Sequence, residues 1–283
     1  MILITTAGKV GSEAARLLTQ RDAPARVVVR DQEKATALRQ LGVDVVEGDL
    51  DHSASLDVAM QGVTSVVLVS PAVPVQELNV VNSAARAGVG QVVKITSKAT
   101  ADSPIARQRG QAEIEAGLIA SGSRYTLLRS NFYMQNFLML APMIAATDSF
   151  GSVAGNGQVG FIDTRDVAAV AVEIAAAPAA HVGMTYLLTG PQLLSYADAA
   201  ATLSKVLGRP IAFHERTREE DAQEMIDAGV PAAIADMNAH AVSLVAEGDA
   251  AWLSQDLPTI LGHPARSFEQ FAIDHAAAFT PGG

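Results

Sequence analysis

The sequence has no cysteine, a single tryptophan and only 5% aromatic residues over its 283 positions. Without cysteine there can be no disulfide, no thiolate nucleophile and no cysteine-ligated zinc centre. Basic residues are also scarce: 20 Lys and Arg against 30 Asp and Glu give a formal net charge of −10. That balance argues against nucleic acid as a main partner, because binding its phosphates needs a basic surface. No apolar run approaches the roughly 20 residues that span a bilayer. Gly8, Lys9, Gly11 and Glu13 interrupt the N-terminal stretch before it gains signal-peptide character. A cytoplasmic protein with no membrane partner is therefore expected, and a homo-oligomer is compatible with that. His52, His181, His214, His240, His263 and His275 form no i, i+4 pair and no HExxH arrangement, so no metal site is expected. A GxSxG elbow is missing as well, which argues against an α/β-hydrolase.

What the chain does have is a 49% hydrophobic fraction, a mean hydropathy of +0.23, and enough length to bury roughly three quarters of its unfolded surface. Its most informative stretch is Met1–Gly11, MILITTAGKVG. Met1 to Ile4 is a short apolar run, Gly8 and Gly11 punctuate a turn, and Ala14, Leu17 and Leu18 follow at helical spacing. Strand, glycine turn and helix in that order let backbone N–H groups and the positive end of a helix dipole face a diphosphate. The pattern is degraded, since GxxGxxG would require glycine where Thr5 stands. An ordinary βα turn with a closely packed helix is the alternative.

Strands and helices then alternate. Arg26–Arg30, Val43–Glu47, Ser65–Ser70, Gln91–Thr96 and Arg124–Leu128 read as strands. Between them, Asp31–Leu41 reads as a helix with Leu38 and Leu41 on one face. Gln76–Ala87 reads as a helix with Leu78, Val81 and Ala85 in register, and Arg109–Ala120 as another. Continuous apolar strands separated by helices predict a parallel sheet covered on both faces. After Asn131 the rhythm changes. Phe132–Ala146 is apolar, Ser149–Gly160 glycine-rich and loop-like, Asp163–Ala177 helical and Met184–Leu188 a strand. Ser195–Leu207 is a helix opened by a capping box with Asp198 in the Glu position, and Arg216–Gly229 and Val230–Glu247 follow as helical segments. The expected fold class is α/β: a Rossmann-type doubly wound parallel sheet over residues 1–130. Residues 131–283 form a smaller C-terminal substrate lobe that returns some elements to the sheet.

In such folds the residue ending the second strand reads the adenosine ribose. A carboxylate accepts from a 2′-hydroxyl, whereas Arg suits a 2′-phosphate. Arg30 holds that place, Lys34 lies one helical turn further on, and Lys9 sits in the glycine turn. One charge-assisted hydrogen bond, about 1.5–3 kcal/mol or about 10- to 150-fold in affinity, is enough to favour NADP(H) over NAD(H). Solvated surface charges are the alternative for Arg30 and Lys34. Asp49 can accept from an adenine amino group and Leu50 can pack on the ring, or Asp49 caps the helix near Ser53–Ala59. With Thr6, Gly8, Lys9, Val10 and Gly11 of the turn, Ser70 and Pro71 after the fourth strand and Thr96 and Ser97 after the fifth complete the candidate cofactor set. Asp163 and Asp166 precede a helix, where capping and dipole stabilisation explain them better than acid–base work. Phe132, Tyr133, Met134, Phe137 and Met139 are open to two readings, core packing and a pocket for a flat aromatic ligand.

The glycine turn, VVVRDQEKA (Val27–Ala35), GDL (Gly48–Leu50) and SGSRYTLLRSNFYMQN (Ser121–Asn136) together resemble the NmrA-like atypical short-chain dehydrogenase/reductase family. Within it the chain is most similar to NADPH-dependent quinone and triphenylmethane-dye reductases, and EEDAQEMIDAGVP (Glu219–Pro231) is similar to the family's substrate-side segment. The resemblance implies a Rossmann domain, NADP(H) held through Arg30 and Lys34, and a pocket for a quinone-like or aromatic substrate lined by Asn131–Phe137 and the C-terminal segment. Asn131, Phe132, Tyr133 and Asn136 are the residues expected to orient that substrate.

Two departures stand out. The family usually has glycine at Thr5, and a β-branched residue is costly at positive φ, so this turn must take another geometry. The family often has histidine at Arg109, and Arg cannot release a proton near neutral pH. The Tyr-x-x-x-Lys dyad of the wider superfamily is absent too: Tyr125 is followed at four by Arg129, and Tyr133, Tyr186 and Tyr196 lack a lysine there. A quinone or cationic dye tolerates that absence, because its reduced product can take a proton from solvent, whereas a carbonyl needs a placed donor. Three functions are thus expected to compete: a reductase of easy hydride acceptors, a non-catalytic NADP(H) sensor, and a pathway-specific carbonyl reductase.

Overall fold

The computed structural model describes residues 1–30 and 32–281. Asp31, where the sequence places the start of the second helix, lies outside them. The strands are β1 (Ile2–Ile4), β2 (Ala25–Val29), β3 (Asp44–Glu47), β4 (Ser65–Leu68), β5 (Gln91–Thr96), β6 (Tyr125–Ser130), β7 (Ser149–Ser152), β8 (Thr185–Leu188) and β9 (Ala212–Glu215). The helices are α1 (Lys9–Gln20), α2 (Gln32–Gln40), α3 (Ser53–Ala59), α4 (Pro74–Arg86), α5 (Ala106–Ala120), α6 (Phe137–Thr147), α7 (Thr164–Ala176), α8 (Tyr196–Leu207), α9 (Arg218–Asp227), α10 (Ala232–Ser243), α11 (Asp256–Leu261) and α12 (Phe268–Asp274). Among the described residues, no helix is long and apolar enough to cross a membrane.

The chain divides into two compact units, each assembled from three segments. Unit 1 comprises Met1–Ser130, Thr164–Leu187 and Asp256–His263. Its sheet has the strand order β3-β2-β1-β4-β5-β6-β8, and the pairs from β3 through to β6 are parallel. This is the Rossmann-type doubly wound α/β architecture. The central strands β1, β4 and β5 are buried along their whole length, as expected where both faces of a parallel sheet are covered. Leu3, Val28, Val66, Val92 and Leu127 pack on one face against Leu56 of α3, Val80 and Val81 of α4 and Leu118 of α5. Helix α7 packs on β4, β5 and β6 and also against α1.

Unit 2 comprises Asn131–Asp163, Leu188–Gln255 and Pro264–Gly283. Its core is aromatic: Phe137 meets Phe150, Phe161, Tyr196 and Phe268 with ring centroids 4.8–5.9 Å apart. The expected capping box opens α8, with the Ser195 hydroxyl accepting from the Asp198 N–H and Asp198 accepting from the Ser195 N–H.

Several local expectations need correction. The loop-like stretch from Ser149 begins with β7, which pairs in parallel with the unanticipated β9. Leu41 lies beyond α2 and is 48% exposed, so Leu38 alone reaches the core. Helix α4 starts at Pro74, which suits a first helical turn. It buries Glu77, Val80, Val81, Ser83 and Ala84, so of the expected face Val81 is buried, whereas Leu78 is half-buried and Ala85 exposed. Apolar pattern matching placed Leu78 and Ala85 one position past the buried Glu77 and Ala84, because the buried face begins with a carboxylate. Asp166 lies inside the first turn of α7, where it complements the helix dipole. Asp163, just before the helix, accepts from Gln135 Nε2 at 2.8 Å.

Candidate functional site

The strand order of unit 1 reverses between β1 and β4, and in open α/β sheets ligands bind at the carboxyl ends of the strands flanking such a point. The structure knits these two ends together with threonines. Thr5 is 1% exposed; its Oγ1 donates to the Val69 carbonyl at 2.7 Å and accepts from the Val69 N–H at 2.9 Å. Thr6 Oγ1 donates to the same carbonyl at 2.9 Å. No residue from Thr5 to Gly11 has a positive φ. The turn thus accommodates Thr5 without backbone strain and uses its hydroxyl as a tie. Of the two glycines only Gly11 is sterically required: a Cβ there would collide with the Thr6 carbonyl oxygen, whereas one on Gly8 would meet only Thr6 Oγ1 at 3.9 Å.

Gly8 is the N-cap residue of α1, which has neither a side-chain cap nor an acidic residue in its first turn. Helices α8 and α9 in unit 2, by contrast, are both closed by capping boxes. The first N–H groups of an α-helix point out of its N-terminal end rather than to an intrahelical acceptor, and in α1 Val10 and Gly11 lie in that first turn. Lys9 is held below the ordinary lysine pKa by desolvation. A 12-residue helix with an open, unneutralised N-terminus and a glycine packed close on the strand loop suits a diphosphate.

At the carboxyl ends of β2 and β3, Arg30 and Asp49 come together. Arg30 is 71% exposed, with Nη1 3.8 Å from Asp49 Oδ1. Asp49 is held below the usual carboxylate range by the Asp51 N–H, by Arg30 and by His52. It does not cap α3, whose N-cap residue is His52. Leu50 is 7% exposed and belongs to the unit 1 core beside Val28 and Leu56. Lys34 is exposed near the start of α2.

After β4, the Ser70 hydroxyl donates to Glu77 Oε1 at 2.7 Å and accepts from the Ala72 N–H at 3.2 Å. Pro71 is exposed beside it. Glu77 pairs with Lys94 Nζ at 2.7 Å, both side chains being fully buried. After β5, Thr96 Oγ1 donates to Glu115 Oε1 at 3.1 Å, Arg129 grips the same carboxylate, and Ser97 is half-buried. Glu77 and Lys94 are absent from the candidate residues read in the sequence. The signal was a lysine inside the otherwise apolar strand QVVKIT, answered by a glutamate on the buried face of α4.

In unit 2 the amide of Asn131 is committed to the backbone: Nδ2 donates to the Ala250 carbonyl at 3.0 Å and Oδ1 accepts from the Phe132 N–H at 2.8 Å. Phe132 and Tyr133 are half-buried and Asn136 is exposed, whereas Met134 and Phe137 are 1% exposed and serve the core. Met139 is 65% exposed. The aromatic and methionine segment therefore divides residue by residue. Arg109 anchors a loop, its Nη1 donating to the Ser103 and Pro104 carbonyls at 2.7 and 3.0 Å. Tyr196 is buried against Phe137, Phe161 and Phe213, and burial raises its pKa.

Comparison with known proteins gives a consistent picture. The model of the NmrA-like family matches residues 1–255. The chain is 37% identical to an NAD(P)H azoreductase of Xenophilus azovorans, across 99% of both chains. It is 36% identical to a (4-alkanoyl-5-oxo-2,5-dihydrofuran-3-yl)methyl phosphate reductase of Streptomyces griseus, over 99% of this chain and 100% of the relative. Among solved structures, an NADPH-dependent quinone oxidoreductase of Escherichia coli complexed with NADPH superposes with a TM-score of 0.87 at 29% identity, covering 98% of this chain and 100% of the other.

Proposed function

Since the chain belongs to the NmrA-like family, we propose that it is an NADPH-dependent reductase of flat conjugated acceptors, quinones and azo or cationic dyes among them. The observation that carries this reading is the open N-terminus of α1, set beside the Thr5–Val69 tie at the point where the strand order reverses. The names of the azoreductase and quinone oxidoreductase relatives support it. When bound, NADPH supplies a hydride from its nicotinamide ring. The chain's own residues bind and orient. The first-turn amides of α1 receive the diphosphate, Lys9 adds a cation beside them, and Arg30 with Lys34 receives the 2′-phosphate that favours NADP(H) over NAD(H). Ser70, Pro71, Thr96 and Ser97 shape the turns after β4 and β5. Phe132, Tyr133 and Asn136 recognise the acceptor, while Asn131 fixes the backbone that presents them. Rate enhancement comes from proximity and orientation. No tyrosine has a lysine four residues on, so the proton reaches the reduced acceptor from solvent, which an easy acceptor permits.

The test is NADPH oxidation against a panel of quinones, azo dyes and cationic dyes, with NADPH binding measured by calorimetry on the same sample. Tight binding with turnover supports the reading. Tight binding without turnover of any acceptor refutes it and leaves an NADP(H) sensor. The Streptomyces griseus relative favours a second reading, a pathway-specific reductase of an unsaturated oxo-lactone. A strong preference for such a compound over every quinone and dye would select it.

A further inference from the structure

The buried charges of unit 1 have no stabilising need that apolar residues would not meet as well. Taking a carboxylate and an ammonium out of water costs several kcal/mol, and well-packed apolar replacements are often neutral or better. Glu77 and Lys94 are nonetheless both fully buried at 2.7 Å, with Lys94 Nζ also donating to the Ile95 carbonyl at 2.6 Å. What the pair does have is direction. Glu77 holds one oxygen on Lys94 and offers the other to the Ser70 hydroxyl. With its proton committed there, Ser70 Oγ turns a lone pair toward the Ala72 N–H. Ala72 has φ +63, a left-handed conformation in a residue that carries a Cβ, and such a residue persists only where its surroundings over-determine it. Behind the turn, a Cβ on Gly110 of α5 would press on Pro74 Cγ at 3.3 Å, so α5 lies close against it. The next strand end repeats the device: the Thr96 hydroxyl donates to Glu115, which Arg129 holds.

We propose that the Glu77–Lys94 ion pair is a positioning device that fixes the Ser70–Ala72 turn and thereby sets affinity for the whole dinucleotide, leaving its adenosine half unaffected. This rests on the proposed NADPH site. Neither residue is catalytic; both act through Ser70. The adenosine half is assigned to Arg30, after β2, so a fragment carrying only that half reports separately.

The test compares the wild type with the double variant Glu77→Leu/Lys94→Met, which removes both buried charges together, and with Ser70→Ala, which leaves the pair intact and cuts its link to the turn. Three readouts are taken: affinity for NADPH, affinity for 2′,5′-ADP, and hydrogen exchange of the Ala72 amide in the free protein. The expected result is that both variants lose about tenfold or more in NADPH affinity and keep 2′,5′-ADP affinity within about twofold. The Ala72 amide exchanges faster in both. A purely structural role would move both ligands together, or neither. NADPH affinity retained by Ser70→Ala, or by a folded double variant, overturns the proposal. Should the double variant not fold, Ser70→Ala decides alone. If the wild type binds no NADPH, the functional reading falls by itself. The positioning role is then judged on Ala72, and unchanged exchange in Ser70→Ala overturns it.

Discussion

Replacing Arg30 by alanine separates a phosphate reader from a solvated charge, and the structure sets the size of the effect. In the free protein Arg30 stands 3.8 Å from Asp49. At a water-like dielectric, fitting for a side chain 71% exposed, that attraction is about 1 kcal/mol. A charge-assisted bond to a 2′-phosphate contributes about 1.5–3 kcal/mol. Binding exchanges the first for the second, so the net contribution of Arg30 is about 0.5–2 kcal/mol, or about 2- to 30-fold in affinity. Arg30→Ala should therefore weaken NADPH by about tenfold and leave NADH nearly unchanged, with little effect on folding because exposed pairs contribute little. Asp49 keeps its negative charge near neutral pH, since the Asp51 N–H and Arg30 both favour the ionised form. Asp49→Asn should then raise the NADPH-to-NADH affinity ratio by lifting its repulsion of the 2′-phosphate. Calorimetric titration of both cofactors at two salt concentrations reads this directly, and the Arg30 effect should shrink at the higher salt. Equal losses for NADPH and NADH in Arg30→Ala would refute the assignment.

Four further outcomes follow from single contacts. Gly11→Ala drives a Cβ into the Thr6 carbonyl and should destabilise by about 1–3 kcal/mol despite the better helix propensity of alanine; matching thermal melts of Gly11→Ala and Gly8→Ala would contradict this. Thr5→Val keeps shape but strips the Val69 N–H of its acceptor, which should cost about 1–3 kcal/mol in chemical denaturation. Asp221 is pushed up from 3.8 to about 6, chiefly by burial and also by Glu224, against the opposing pull of Arg216 and the Val153 N–H. The folded state thus holds this proton more tightly than the unfolded chain, and the contribution of Asp221 to stability falls as pH rises from 3.8 through about 6. Asp221→Asn should accordingly gain stability over the wild type as pH rises across that window, in melts at a series of pH values. Arg109→Ala releases the Ser103 and Pro104 carbonyls and should speed amide exchange in that loop.

The parallel sheet was legible because β2, β4 and β5 are continuous buried runs, whose β-branched residues announce themselves without help from distant sequence. β7 and β9 were not legible. SFGS and AFHE are four residues each, one carries a glycine at its centre, and each is a strand only through a partner some sixty residues away. Helix α4 was legible as a helix, with Val81 on its buried face, but the rest of that face was not, because a buried Glu77 mimics a solvent-facing position until Lys94 is seen beside it. At the candidate site, the close packing of Gly11 could be anticipated from the glycine turn, and the place of Arg30 just past β2 from the RVVVR run. The Thr5 tie could not, since the partner is the backbone of Val69 and a backbone atom leaves no mark on composition. Asn131 stood out by residue type, yet its amide is spent on Ala250 and Phe132, which spacing does not reveal.

Each unit is built from three separated segments, and during synthesis this fixes an order of events. When Ser130 leaves the ribosome, β6 is the outermost strand of the growing sheet. Its neighbour β8 begins only at Thr185, which at ordinary translation rates means roughly 3–10 seconds of waiting. Asp256, which takes the Leu187 N–H at 2.7 Å, comes later still. Through that interval the nascent chain presents the unpaired edge of β6 to whatever strand it meets, so this edge is where the newborn chain is most exposed to mispairing.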